Sequence, residues 1–270
     1  MIADAFDVFL VDLDGVVYVG EEPIPSAVTA IERLRDRGKT VRFLTNNSRR
    51  PRSDLAEHLA GFGVPADPED VVSAGSVTGD VLGERGHERV FVVGTDGLER
   101  ELRDQGFDVS GDTGTPDAVV VGLDTETTYR DIELGARAVR NGAAFVAANV
   151  DPRFPTEEGL APGTGAIVSA IETVAETGPV VVGKPEPRIF ERALAGFGSV
   201  SDAVMVGDSL RSDVLGAQRV GIPSVLVTEH GVDSAPSGEA DSDSDSDSDS
   251  LARATPDYVV GDLTDLFDSV

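Results

Sequence analysis

Short aliphatic and β-branched runs alternate with stretches whose apolar residues recur at i, i+4 and i+7 from one end of the chain to the other. The runs predict strands at Val8 to Val11, Thr40 to Leu44, Val90 to Val93, Ala118 to Val121, Ala144 to Ala147, Val180 to Val182, Ala203 to Val206, Ser224 to Val227 and Tyr258 to Val260. Between them, helical faces fall on Ala27, Ile31 and Leu34, on Leu55, Leu59 and Phe62, and on Ile167, Ile171 and Val174. Gly38, Gly63, Gly142, Gly178, Gly198 and Gly221 follow helical stretches, where a left-handed C-terminal residue is easiest without a Cβ. Pro187 suits the first turn of a helix carrying Ile189, Phe190 and Leu194. Strands alternating with helices in this way predict an α/β fold built on a largely parallel sheet.

Length and composition narrow the picture. With 270 residues the chain is expected to form two domains, because single cores stop growing at roughly 250–300 residues. No apolar run approaches the roughly 20 residues of a membrane span. Asp4 and Asp7 precede the first short apolar run, where a signal peptide would carry basic residues, so a cytoplasmic protein is expected. The absence of cysteine excludes disulfides, thiolate chemistry and cysteine-bound zinc, and three histidines leave little imidazole chemistry. A formal net charge of -27 argues against nucleic acid and against an anionic membrane surface as partners. Lys39 and Lys184 are the only lysines, and this acid-rich, lysine-poor balance resembles that of halophilic proteins, whose self-repulsion strong salt would screen. A merely acidic cytosolic protein is the alternative reading. The Asp-Ser alternation from Asp241 to Ser250 has too little apolar surface to order itself and reads as a solvated loop, not a metal cage.

Four predicted strands end in residues able to handle phosphate or a metal, and ligands of open parallel sheets bind beyond the carboxyl ends of the strands. The first strand runs directly into Asp12-Leu13-Asp14-Gly15. Alternation along an extended chain points Asp12 and Asp14 to one side, with Leu13 turned away. A carboxylate there can attack phosphorus and leave again, while its neighbour protonates the departing alkoxide and later activates water. Alone, the pattern is more often a turn. Val206-Gly207-Asp208-Ser209, with Asp213 beyond it, offers hard oxygen ligands suited to Mg²⁺. Asp213 also reads as a helix N-terminal residue favoured by the macrodipole. Thr45-Asn46-Asn47-Ser48 can hold phosphate oxygens or make an ordinary turn, and Lys184 supplies a compact positive charge at a strand end. Arg49, Arg50 and Arg52 could steer an anion or pair with surface carboxylates. Gly163-Thr164-Gly165 lacks the third glycine of a dinucleotide fingerprint and follows Gly159 to Pro162, which does not read as a strand; Gly94 to Gly97 fails the same test.

Taken in order, Asp12-Leu13-Asp14-Gly15, Thr45-Asn46-Asn47-Ser48, Gly183-Lys184-Pro185 and Gly207-Asp208 with Asp213 resemble the four motifs of the haloacid dehalogenase superfamily. The stretches Asp151 to Pro155 and Pro162 to Gly165 are similar to the NagD-like branch, which includes pyridoxal phosphate, phosphoglycolate and nitrophenyl phosphate phosphatases. The resemblance implies a Rossmann-like doubly wound core with a large α/β cap inserted between the second and third motifs. On that basis residues 1–77 and 179–270 form the core, 78–178 the cap, and 241–250 an acidic loop within the core. It further implies Asp12 as nucleophile and Asp14 as general acid/base. Asp12, the backbone carbonyl of Asp14, and Asp208 would bind Mg²⁺, with Asp213 orienting the metal's waters. Thr45, Asn46 and Lys184 would hold the phosphate of a small phosphorylated metabolite, and Asn149 and Asp151 would lie in a specificity loop. A homodimer through the cap is expected by resemblance. The alternatives are a phosphomutase, or a phosphate-binding module of the same fold without turnover.

Overall fold

The computed structural model describes residues 1–109, 115–156, 159–198, 200–229 and 254–268, so the Asp241 to Ser250 run lies outside the described residues. The chain divides into two compact units. One comprises Met1–Thr45, Ala56–Val72 and Lys184–Val270; the other comprises Asn46–Leu55 and Ser73–Gly183.

The first unit is built on a six-stranded sheet ordered Tyr258–Val260, Ser224–Val227, Ala203–Gly207, Val8–Val11, Thr40–Thr45 and Val71–Ser73. Val8–Val11 runs parallel to both of its neighbours, with Val11 level with Val206 on one side and Phe43 on the other. All four of its residues are buried, as expected for a strand covered on both faces. Each large side chain hidden there, such as Phe9 or Leu10, contributes about 1.5–3 kcal/mol. Helix Pro25–Asp36 turns Ala27, Ile31 and Leu34 inward as the periodicity predicts, and Pro187 opens the helix Pro187–Leu194.

The second unit carries its own parallel sheet, ordered Val180–Val181, Ala144–Ala147, Ala118–Val121, Arg89–Val93 and Asp108–Val109. Phe91, Val119, Phe145 and Ile171 are among the buried residues of its core. Helix Tyr129–Arg140 begins at a capping box in which Thr128 and Asp131 satisfy each other's backbone N–H groups. Helix Ala74–Glu84 is a single element of this unit.

Several expectations need correction. The Val180–Val181 strand pairs with Ala144–Ala147 in the second sheet, not with the core sheet, because a two-residue half-buried edge strand carries no pattern that names its partner. Gly159–Pro162 is a strand after all, paired antiparallel with Arg153–Thr156 in an isolated hairpin. Val174 is 49% exposed, since the inward stripe of helix Thr164–Ala175 runs through Thr164, Val168, Ile171 and Ala175. That helix closes on Glu176 in the left-handed region, two residues before Gly178, and neither Gly178 nor Gly198 has a positive φ. No helix among the described residues is long and apolar enough to cross a membrane.

Candidate active site

Asp12 follows the last residue of the buried strand Val8–Val11, and its backbone N–H continues the ladder by donating to the Val206 carbonyl at 2.9 Å. The ladder therefore sets the height at which the Asp12 carboxylate leaves the sheet. Its Oδ1 accepts from the Leu13 N–H at 2.8 Å, while Leu13 itself is buried. Beyond it the chain turns back at once: Val17 N–H donates to the Leu13 carbonyl at 2.8 Å, and Gly15 N–H to the Tyr18 carbonyl at 2.9 Å. Asp14 stands exposed at the start of this turn, its backbone bridged to Tyr18. Gly15, with φ +82°, allows the turn, and a Cβ there would also collide with Asp208 Oδ2.

The neighbouring strand Ala203–Gly207 delivers Asp208 in the same manner, one residue past its end. Asp213 sits in the π-helical turn Leu210–Val214, a geometry often found at functional sites. This placement differs from a simple helix-start residue, because Asp213 is only 1% exposed and its carboxylate is tied on both sides. Lys184 Nζ donates to Asp213 Oδ1 at 2.7 Å, and Ser209 N–H donates to Oδ2 at 3.1 Å. Gly207 has no side chain where a Cβ would overlap the Asp213 carboxylate.

Lys184, 3% exposed, bridges the two strands' acids: its Nζ lies 2.7 Å from Asp12 Oδ1 and 2.7 Å from Asp213 Oδ1. Burial pulls its amine down, but the charges and hydrogen bonds of Asp12 and Asp213 outweigh this, so its pKa is raised and the ammonium persists. Burial pushes the Asp12 carboxyl well above its usual range; Lys184 opposes this, and Asp213 and Asp208 add to it. Asp12, Asp208 and Asp213 each offer a carboxylate oxygen within 4.8 Å of the others. Three buried carboxylates thus gather beside the Lys184 ammonium, and every donor they offer is a hard oxygen. That chemistry fits a divalent cation such as Mg²⁺. Thr45 ends its strand in the same unit, buried at the 1% level.

The remaining sequence-selected residues group in the second unit. Asn46 Nδ2 donates to Asp151, and Asn149 Nδ2 donates to the Asn46 carbonyl at 2.8 Å. Ser48 is buried there, and Arg52 pairs with Glu101, whose carboxylate also accepts from the Arg52 N–H at 2.9 Å. Arg52 is thus a structural partner and not a free guide for anions. Sequence reading passed over Glu101, a buried acid on the amphipathic helix Asp96–Asp104; its position on the apolar side of that helix, beside Leu98 and Leu102, was the available signal. Gly183, named in the sequence as part of the Gly183-Lys184-Pro185 motif, has a packing reason that the motif does not carry: a Cβ there would lie 2.6 Å from both the Ala148 carbonyl and Asn46 Oδ1.

Comparison with known proteins identifies the family. The chain matches the haloacid dehalogenase-like hydrolase family over residues 80–221 and again over residues 9–108, with a HAD-hydrolase-like match over 181–266. A D-glycerol 3-phosphate phosphatase of Mycobacterium tuberculosis is 40% identical over 237 residues, covering 87% of this chain; the chain spans 66% of that protein's length. The 5'-nucleotidase YutF of Bacillus subtilis is 36% identical over 221 residues, 81% of this chain and 86% of that one. Among solved structures, a glycerol phosphate phosphatase from Mycobacterium tuberculosis in complex with magnesium matches with a TM-score of 0.84 at 36% identity, covering 98% of this chain and 77% of that one. With its relatives named as phosphatases and a nucleotidase, and a family match across more than half its length, the chain belongs to the haloacid dehalogenase-like hydrolases.

Proposed function

We propose that this protein is a magnesium-dependent phosphatase that hydrolyses the phosphomonoester of a small metabolite through an aspartyl-phosphate on Asp12. The observation that supports the reading most is the buried cluster itself: Asp12 beside Asp208 and Asp213, with Lys184 Nζ 2.7 Å from the Asp12 oxygen. Two further carboxylates gathered beside Asp12 around one buried ammonium go beyond a simple ion pair and suit a site that holds a divalent cation.

In this reading an oxygen of Asp12 forms a bond to phosphorus as the ester oxygen departs, and Asp14 gives its proton to that oxygen. Asp14, exposed and carried on the turn beyond the strand, then takes a proton from the water that attacks phosphorus and frees Asp12. Lys184 and Thr45 hold phosphoryl oxygens, and Asn46 contributes its side-chain amide. Asp12, Asp208 and the backbone carbonyl of Asp14 would hold Mg²⁺, with Asp213 orienting its waters; the ion supplies neutralising charge for two anions that must meet. Lys184 opposes the upward push that burial and the neighbouring acids give the Asp12 carboxyl, and so favours the anionic form that attack requires. The second unit acts as the cap that selects the substrate. The relatives' names, a glycerol phosphate phosphatase and a nucleotidase, make small polyol phosphates and mononucleotides the first compounds to try.

The test is phosphate release from p-nitrophenyl phosphate and from that panel, with Mg²⁺ and with EDTA. Activity is expected only with Mg²⁺ and is expected to vanish in Asp12→Asn; turnover that survives either treatment contradicts the reading.

A further inference from the structure

Asn46 is held in a closed ring of polar contacts inside the second unit. Its Nδ2 donates to Asp151 Oδ2 at 3.1 Å and to Oδ1 at 3.3 Å. Its backbone carbonyl accepts from Asn149 Nδ2 at 2.8 Å, and Asn149 Oδ1 accepts from the Asp151 N–H at 3.2 Å, which closes the ring. Asn149 is 4% exposed, so the ring is built into the unit and is not a surface accident. Gly183 packs against the same amide, with room for no Cβ beside Asn46 Oδ1.

The chemistry of the ring is directional. A carboxylate only accepts hydrogen bonds, so Asp151 can face Nδ2 but not Oδ1, and this fixes the orientation of the amide. The two carboxylate oxygens subtend an angle at Nδ2 far smaller than that between its two N–H bonds. One hydrogen therefore serves both oxygens, and the other is directed away from Asp151. An anionic Asp151 is also a poor direct partner for a phosphate, because like charges in contact repel.

We infer that Asp151 and Asn149 are positioning residues that act through Asn46, fixing which face of its amide is presented to the substrate phosphate, and that they do not themselves contact the substrate. This rests on the reading of Asn46 as a phosphate-holding residue.

The experiment is a double-mutant cycle on the Mg²⁺-loaded protein, using Asn46→Ala, Asp151→Ala and the double variant. It reads the binding of inorganic phosphate by calorimetry alongside kcat and KM for p-nitrophenyl phosphate. Asp151→Ala is expected to weaken phosphate binding about tenfold in the wild-type background, the scale of one charge-assisted hydrogen bond. It should change binding less than about twofold once Asn46 is alanine, because the two residues then share one effect. Asp151→Asn, which keeps size but permits the flipped amide, should lie between, and it replaces Asp151→Ala if that variant fails to fold. Equal losses in both backgrounds, no loss in either, or a changed ranking of substrates in Asp151→Asn would overturn the inference. An active wild type whose Asn46→Ala variant binds phosphate normally removes this inference alone; a wild type that neither binds phosphate nor turns over any ester removes the phosphatase reading as well.

Discussion

Replacing Lys184 with methionine removes one charge while nearly preserving volume, and the structure sets the scale of the result. At an effective dielectric constant of about 20, each 2.7 Å contact with Asp12 and Asp213 corresponds to about 6 kcal/mol of Coulomb attraction. Most of that offsets the cost of taking the three groups out of water, so the attraction is not the net contribution. Breaking such a buried set by deleting one partner leaves its carboxylates uncompensated and costs about 3–5 kcal/mol. For domains of this size that corresponds to a fall in melting temperature of about 6–20 °C. The raised Lys184 pKa means that the ammonium's stabilisation is fully present below the usual 10.5 and is lost only as the pH climbs through the folded value. The gap between Lys184→Met and wild type should therefore stay constant between about pH 7 and 9. The assay is thermal denaturation in EDTA across that range, paired with kcat/KM for p-nitrophenyl phosphate in Mg²⁺, which should drop about 10²–10³-fold. A variant melting within about 1 °C of wild type, or retaining its activity, would refute the assignment of Lys184 as the cluster's essential cation.

Gly183→Ala places a methyl 2.6 Å from a backbone carbonyl and from Asn46 Oδ1, and is expected to cost about 1–3 kcal/mol in urea denaturation and to weaken phosphate binding. Asp117 accepts from the Arg89 and Glu88 N–H groups and from the Arg89 guanidinium, and these contacts hold its carboxyl at about 2 instead of the usual 3.8. Because that pKa is depressed, its stabilisation is present above 3.8 and lost as the pH falls toward about 2. Wild type should exceed Asp117→Asn in urea midpoint at neutral pH, with the difference closing over that acid window. The net charge of -27 leads to a further expectation: the melting temperature rises between dilute buffer and about 1 M KCl, where the Debye length falls to about 3 Å. An unchanged melting temperature would remove the halophilic reading.

Much of the fold was legible because parallel strands buried on both faces announce themselves. Val8–Val11 and Ala118–Val121 are unbroken apolar runs, and the residues following the first of these and Ala203–Gly207 are carboxylates. Asp12 and Asp208, distant in the chain, meet because adjacent parallel strands end at the same height, while Asp213 joins them from the π-helical turn and Lys184 from the segment after Gly183. Short, weakly patterned elements were less legible. Val180–Val181 could belong to either sheet on its sequence, and the strand Gly159–Pro162 has no buried residue to impose alternation. The tie between Asn46 and Asp151 links residues 105 positions apart through side-chain geometry alone, which no local period records. Taken alone in the sequence, Asp213 reads as a helix-start acid; its burial and its contact with Lys184 are what set it apart.

The role of Asp12 as the atom that takes the phosphoryl group can be tested chemically. Enzyme turning over p-nitrophenyl phosphate in Mg²⁺ is quenched in acid and reduced with borohydride, which converts an acyl phosphate to an alcohol, and the peptides are read by mass spectrometry. Homoserine is expected at position 12 and at no other aspartate, and only when substrate is present. An unmodified Asp12 under conditions where turnover is rapid and the trapping chemistry works on an acyl-phosphate control, or a reduced carboxyl elsewhere, would contradict nucleophilic catalysis by Asp12.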